Sequence, residues 1–243
     1  PRSTLFPYTT LFRSIVKLFI KAGADVNSED RNGNSILSTA LYSDNYEIIK
    51  ELLKSGANVN ASDGAILRKA AGRKDIKFLK LLIKYGANIK KYGSLAIIGA
   101  TVSNKRLDIV KLLIENGANV NPDFEIRSIP YPGTLLARIL DSGNLDATQI
   151  DIVKYLVNNG ADLNSPKEGH RSVLMIAVEK RYVELIKFFI QKGANVNKTD
   201  PAGATALDYI AISGDTNKKA EIIQILKAAG AKRGSGDPYR VSR

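Results

Sequence analysis

The chain has 243 residues, of which 44% are hydrophobic and 25% are charged, an ordinary composition for one or two globular domains. It contains no Cys and a single His, which excludes disulfides, Cys-based zinc sites and a Cys nucleophile. No apolar run approaches the roughly 20 residues that a membrane span requires. The formal net charge of +12 favours an acidic partner.

Residues 1–14 (PRSTLFPYTTLFRS) differ from the remainder of the chain. They contain Pro7 and adjacent Thr residues, and they lack an apolar helical face. The segment resembles the translation of a sequencing adapter, a contaminant of assembled reads. We therefore expect it to be non-native or disordered, and we expect the native protein to continue upstream of Ile15.

A phrase of the form G-A-[ND]-x-N recurs along the chain, first as KAGADVN ending at Asn27 and last as a weaker AAGAKR ending at Arg233. Each copy follows an apolar segment such as residues 48–53, whose spacing covers more than half of a helix and predicts burial on two sides. The glycine after each helix predicts a left-handed C-terminal turn. These structural glycines are Gly23, Gly56, Gly86, Gly117, Gly160, Gly193 and Gly230.

A shorter helix is predicted before each of these segments. Ser35 precedes Ile36 and Leu37 and is a predicted N-cap. The equivalent position in later units is occupied by Thr134, Ser172 and Thr205. The unit of turn, short helix, long helix and closing phrase resembles the ankyrin repeat. The resemblance covers residues 15–233 and implies an all-α solenoid of stacked helix pairs with β-hairpin-like turns.

The spacing of the phrase divides the chain into repeats. A half repeat is followed by six repeats and a flexible tail, with bounds at 15–27, 28–60, 61–90, 91–121, 122–164, 165–197, 198–233 and 234–243. Repeats three and four have shorter turns, which predicts blunted hairpin tips. At the position where the family has Thr, these two repeats carry Ala65 and Leu95. Repeat five has extra residues in its turn and near residues 144–148 between its helices, and repeat seven has extra residues near 215–218.

Stacked repeats align their turn tips and short helices into one concave surface, where proteins of this kind bind their partners. The residues that we predict to bind a partner are Arg31, Asn32, Tyr42, Arg68, Arg73, Lys74, Tyr92, Lys105, Arg106, Phe124, Tyr131, Arg171 and Lys180. Their basic character favours an acidic partner, and the alternative is a solvated surface without a target. Phe124 and Tyr131 lie on a proline-flanked insert, and the alternative is that they pack back onto neighbouring repeats.

The sequence contains no pattern that indicates catalysis, a cofactor or a metal. His170 has no His, Cys or acidic residue at ligand spacing and is interpreted as a turn residue. The repeated Gly-Ala pairs follow helices, whereas phosphate sites form at helix N-termini. We predict a non-catalytic protein–protein interaction scaffold or adaptor that is monomeric and cytoplasmic, with no small-molecule substrate and no membrane insertion.

Three alternatives stay open. The chain is the targeting module of a larger enzyme or channel truncated at its N-terminus, which a catalytic motif upstream of Ile15 would indicate. The family resemblance also suggests a host-directed effector secreted into a host cell. The net charge suggests nucleic-acid binding, but only 7% of residues are aromatic and no basic run alternates with them.

Overall fold

The computed structural model describes residues 6–43, 45–73, 75–122, 134–164, 171–211 and 217–236. The chain forms two compact units, Pro1–Asn119 and Val120–Arg243. The regular elements in the described ranges are helices, and an antiparallel bridge joins Glu29 to Ser35 in the turn of repeat two. The predicted all-α fold with hairpin-like turns is therefore confirmed.

The first unit is built of helix pairs, and its sixth helix is longer than the helices on either side of it. Its helices are α1 (Phe6–Lys21), α2 (Ile36–Ala40), α3 (Tyr46–Lys54), α4 (Ala65–Ala71), α5 (Lys77–Lys84), α6 (Ile89–Val102) and α7 (Leu107–Glu115). The long helix α1 packs on α3, and the short helix α2 packs on α4, which in turn packs on α6. These helices therefore meet their counterparts in the next repeat, as stacking of repeats requires.

The second unit has the same organisation. Its helices are α8 (Leu135–Asp141), α9 (Ala147–Asn158), α10 (Val173–Glu179), α11 (Val183–Gln191), α12 (Ala206–Ala211) and α13 (Asn217–Ala228). The short helices α8, α10 and α12 pack in series, as do the long helices α9, α11 and α13. The side chains of residues 173–178 are each at most 2% exposed, because α10 is enclosed on all sides.

Helix starts and ends agree with the predicted caps and glycines. The side chains of Ser35, Thr134 and Ser172 each accept a hydrogen bond from a backbone N–H three residues later, at 3.1 to 3.2 Å. Thr205 differs, since its own N–H donates to Oδ2 of Asp208 at 2.9 Å. The seven recurring glycines have φ between 81° and 89°, the left-handed geometry that ends a helix.

Two boundaries at the start of the chain and in repeat four differ from the sequence prediction. Helix α1 begins at Phe6 and so includes most of the segment that was expected to be non-native or disordered. Helix α6 begins at Ile89, with no separate turn before Leu95. The side chain of Asn88 accepts the N–H of Lys91 at 3.0 Å and caps α6 directly after the glycine turn.

Two further boundaries differ in the second unit. Ala147 and Thr148, predicted as inserted loop residues, form the first turn of α9. Asp146 and Gln149 form a reciprocal capping box there, which explains the earlier helix start. The start of the predicted flexible tail is bound to the last repeat, since the N–H groups of residues 235 and 236 donate to the Gly203 carbonyl at 3.1 and 3.3 Å.

Candidate functional site

A recurring Asn at the end of the closing phrase links one repeat to the next, except in repeat three, where Lys90 takes its place. The Asn27 side chain donates to the Gly56 carbonyl at 3.2 Å and accepts the N–H of Asn58 at 2.7 Å. The same pair of bonds is made by Asn60, Asn121, Asn164 and Asn197. No bond between repeats was predicted for the phrase from the sequence. The recurrence of its last Asn was the available signal for an inter-repeat role.

Removing one of these links is expected to weaken the stack. We expect Asn164→Ala to lower the free energy of unfolding by about 1–2 kcal/mol, because bonds to the Gly193 carbonyl and the Asn195 N–H are lost. Asn159→Ala is the matched control, since Asn159 bonds only within its own helix, to the Tyr155 carbonyl. Urea unfolding followed by circular dichroism measures both. Equal losses would mean that the bonds between repeats contribute no more to the free energy of unfolding than a bond within one helix.

Several predicted binding residues of the first unit are exposed. These are Arg31, Asn32, Tyr42, Arg68 and Lys105. Tyr42 is 71% exposed, the largest fraction for a large hydrophobic side chain in the described part of the chain. Arg31 and Asn32 occupy a rigid hairpin tip.

The carboxylate of Asp30 holds that hairpin tip in place. It accepts the N–H groups of Asn32 and Asn34 at 2.8 and 2.9 Å. The pKa of Asp30 is lowered, chiefly by the backbone hydrogen bond from Asn34. The carboxylate therefore stays ionised, and the tip keeps its shape at neutral pH.

The side chain of Lys69, which sequence reasoning missed, extends from α4 over the neighbouring repeat. Its ammonium lies 4.1 Å from the centroid of the Tyr42 ring and donates to Oγ of Ser38 at 2.7 Å. The repeat register alone could not identify it, because the contact depends on how α4 packs on α2. Lys69 thereby gives the exposed ring a cationic neighbour, a favourable arrangement for the π face.

Three predicted binding residues of the first unit have structural contacts instead. Arg73 is half-buried, donates to the Leu41 carbonyl and lies 4.8 Å from the Phe78 ring, and burial lowers its pKa. Tyr92 is half-buried, and its ring packs so closely on Gly64 that an added Cβ there would lie 2.5 Å away. These two side chains join repeats, so they are not free for a partner.

The third of these residues, Arg106, is engaged by a carboxylate. Its Nε and Nη2 atoms lie 2.7 and 2.6 Å from the two oxygens of Asp108. The hydrogen bond from Arg106 lowers the pKa of Asp108, and its counterpart raises the pKa of Arg106. The pair is neutral as a whole, so Arg106 adds little positive potential to the surface.

In the second unit, Arg171 is paired with carboxylates and Lys180 is exposed. The Arg171 guanidinium lies 3.3 Å from Asp141 and also forms an ion pair with Glu179. Lys180 is exposed at the C-terminus of α10. The remaining predicted residues, Lys74, Phe124 and Tyr131, lie outside the described residues, as does His170.

Positive charge is concentrated in the first unit. Residues 1–119 contain 19 Lys and Arg against 10 Asp and Glu, a net charge of +9, and residues 120–243 contain 17 against 14, a net charge of +3. Residues 61–111 alone hold 12 basic and 3 acidic residues. The positive potential is therefore strongest near repeats three and four, where basic residues are in excess. The net charge of the whole chain does not reveal this location.

In the ranges that the structure describes, His, Cys, Asp and Glu side chains do not cluster as a metal site would require. Across the same ranges, the helices all fall short of the length and apolar character needed to cross a membrane. What the fold does offer in the first unit is an exposed turn tip and exposed side chains on and beside the short helices. It defines a helical repeat protein of the protein-binding class.

Comparisons with known proteins agree with this class. A family model for ankyrin repeats in three copies matches residues 4–63 and 144–236, and a model for a single ankyrin repeat matches residues 92–123. The chain therefore belongs to the ankyrin-repeat family, whose members are generally protein–protein interaction modules and typically non-catalytic. The first match begins at residue 4, within the segment that the sequence pattern sets apart.

Two solved structures share the fold. The ankyrin repeat domain of human ASB11 is 23% identical with a TM-score of 0.67, and the match covers 94% of this chain and 98% of that one. The ankyrin repeat domain of Bcl-3, a member of the IkappaB protein family, is 19% identical with a TM-score of 0.70, covering 90% and 93%. No curated protein sequence matches the chain.

Proposed function

We propose that the chain is an adaptor that binds an acidic partner protein through the short-helix face of its first unit. This face is defined by Arg31, Tyr42, Arg68, Lys69 and Lys105. The observation that carries the proposal is the exposed Tyr42 ring with the Lys69 ammonium 4.1 Å from its centroid. An exposed aromatic side chain among basic residues is a typical interface anchor.

Two features of the face support binding to a protein with a negative surface. Three of its four basic residues, Arg68, Lys69 and Lys105, lie within residues 61–111, where basic residues outnumber acidic ones by 12 to 3. Its aromatic and basic side chains rest on a stack held by hydrogen bonds between repeats, including one from the Asn104 side chain to the Gly72 carbonyl at 2.5 Å. A rigid face loses little entropy on binding.

Charge reversal tests the proposal. We expect Arg31→Glu with Arg68→Glu to reduce the association rate with poly-L-glutamate about 10-fold at low salt and to flatten its salt dependence. The matched control is Lys80→Glu with Lys84→Glu, which changes net charge equally on exposed residues of α5. Equal effects of the two double variants would mean that only net charge matters and that this face is not the site.

Photo-crosslinking tests whether the face binds a protein in the cell. A photoreactive residue replacing Tyr42 should form a discrete covalent adduct with a partner protein, while one replacing Lys84 should not. Arg31→Glu with Arg68→Glu should abolish the adduct. Adducts with nucleic acid, or equal adducts from both positions, would contradict the proposed protein-binding face.

A further inference from the structure

Two neighbouring basic residues of α4 direct their side chains to opposite sides of that helix. The Lys69 side chain extends back over repeat two, where its ammonium lies 4.1 Å from the centroid of the Tyr42 ring and donates to Oγ of Ser38 at 2.7 Å. The Arg68 side chain extends forward over repeat four, since its Cγ lies 3.8 Å from the position of a Cβ added at Gly99 in α6. One basic side chain therefore lies over each of the two seams that α4 forms with its neighbours.

The stacking of the short helices sets the distance between these two side chains. Helix α4 packs on α2 on one side and on α6 on the other. Helices in such contact lie about 8–10 Å apart, so the seams on either side of α4 are separated by about the same distance. A partner that engages both basic side chains must therefore present two negative groups with this spacing on one of its faces.

The conformation of a peptide segment decides how far apart its side chains on one face lie. In a polyproline II helix, which has three residues per turn, the side chains at i and i+3 share a face and are about 9 Å apart. In a β-strand the side chains on one face are about 7 or about 13 Å apart. An α-helix reaches a similar spacing between i and i+7, at about 10.5 Å. The polyproline II helix and the α-helix therefore both match the required distance, and the β-strand does not.

Hydrogen-bonding chemistry favours the polyproline II helix over the α-helix. The basic side chains of the short-helix face can only donate hydrogen bonds, and they are Arg31, Arg68, Lys69 and Lys105. An α-helix uses its backbone carbonyl groups internally, whereas a polyproline II helix leaves them accessible as acceptors. Proline residues also carry no backbone N–H, a donor that would find no acceptor on these basic side chains.

The exposed ring of Tyr42 provides a contact for proline. The ring is 71% exposed although Lys69 lies beside it, so most of its surface is open to a partner. Proline-rich segments bind to exposed aromatic side chains, because their extended conformation is already formed and little entropy is lost. Since the Lys69 ammonium is 4.1 Å from the ring centroid, one short segment can place a proline on the ring and a carboxylate beside the ammonium.

We infer that the short-helix face binds an acidic, proline-containing segment of its partner in the polyproline II conformation, with carboxylates at positions i and i+3. One carboxylate pairs with Lys69, the other pairs with Arg68, and a proline packs on the Tyr42 ring. This assignment rests on the proposed function, and it adds the conformation and the charge spacing of the segment that is bound.

Two synthetic peptides of identical composition test the spacing. One consists of four Pro-Pro-Glu triplets, which place all glutamates on one face, and the other carries its glutamates in adjacent pairs, which turn half of them away. Fluorescence anisotropy with the full chain should give a dissociation constant about 5- to 10-fold lower for the triplet peptide. Equal dissociation constants would overturn the inferred spacing. The proposed function would still stand in that case if Arg31→Glu with Arg68→Glu, but not Lys80→Glu with Lys84→Glu, weakened binding of poly-L-glutamate.

Variants of the chain test the assignment of residues. Arg68→Gln should abolish the preference for the triplet peptide, because one of the two spaced cations is lost, whereas the matched control Lys80→Gln on α5 should keep it. Tyr42→Ala should weaken the triplet peptide about 3- to 10-fold and leave binding of poly-L-glutamate nearly unchanged. Arg68 and Tyr42 are exposed, so both variants should keep the circular dichroism spectrum of the wild type. Equal effects of Arg68→Gln and Lys80→Gln, or tighter binding of an α-helical peptide with glutamates at i and i+7, would contradict the inference.

Discussion

Replacing Gly93 by alanine is expected to lower the free energy of unfolding of the first unit by about 2–3 kcal/mol. A Cβ at this position in α6 would lie 2.7 Å from the Ala118 Cβ and 3.2 Å from the Ala118 Cα. The closest contact is a short side chain fixed to the backbone, so relief requires α6 to shift. Because α6 also packs on α4 and α7, that shift would disturb two further contacts.

A second glycine of the same helix supplies the control. Gly99 has only the Arg68 Cγ, at 3.8 Å, near its added Cβ, and its φ is not positive. We therefore expect Gly99→Ala to raise the free energy of unfolding by about 0.5–1 kcal/mol, since alanine favours the helix. Adding Ala118→Gly to Gly93→Ala should recover part of the loss, which a double-mutant cycle by urea unfolding measures. Equal effects of the two alanine variants would show that α6 packs differently.

Replacing Asp208 by alanine is expected to cost about 3 kcal/mol in the second unit. Its Oδ2 accepts the Thr205 N–H at 2.9 Å and the Gly234 N–H at 2.7 Å, and the Thr205 hydroxyl lies 2.9 Å away. The variant would leave the N–H of Thr205, a residue that is only 3% exposed, without its acceptor, and it would remove one of the bonds that hold the chain after Arg233. Glu221→Ala is the control, because the exposed pair of Glu221 with Lys187 is worth at most about 1 kcal/mol.

The contribution of Asp208 should depend on pH. Burial acts to raise its pKa, but hydrogen bonds from Thr205 and Gly234 and the charge of Arg233 outweigh it, so the pKa is lowered from 3.8. A lowered folded-state pKa stabilises the fold above the unfolded value, and this stabilisation is lost as pH falls through the folded value. The difference between wild type and Asp208→Ala should therefore be constant from pH 7 to 5 and shrink below pH 4. A difference that grows on acidification would contradict the assignment.

Sequence by itself determined the repeat architecture, because its causes are local. Gly56 and its six counterparts sit where only a left-handed turn continues the chain, and the apolar spacing of segments such as residues 48–53 requires burial on two sides. Ser35, Thr134 and Ser172 could be identified as caps for the same reason, since a cap bonds to a group three residues away.

Tertiary structure alone decided which basic residues are free. Arg73 occupies a position that a repeat register predicts as exposed, yet its side chain reaches the Leu41 carbonyl in the preceding repeat. A long side chain can bond to any of several neighbours, and those neighbours come together only when the repeats stack. The position of Lys69 over Tyr42 arises in the same way, from packing between segments about 30 residues apart. The sequence pattern reveals the length of each repeat, but it does not reveal which side chains contact one another between neighbouring repeats.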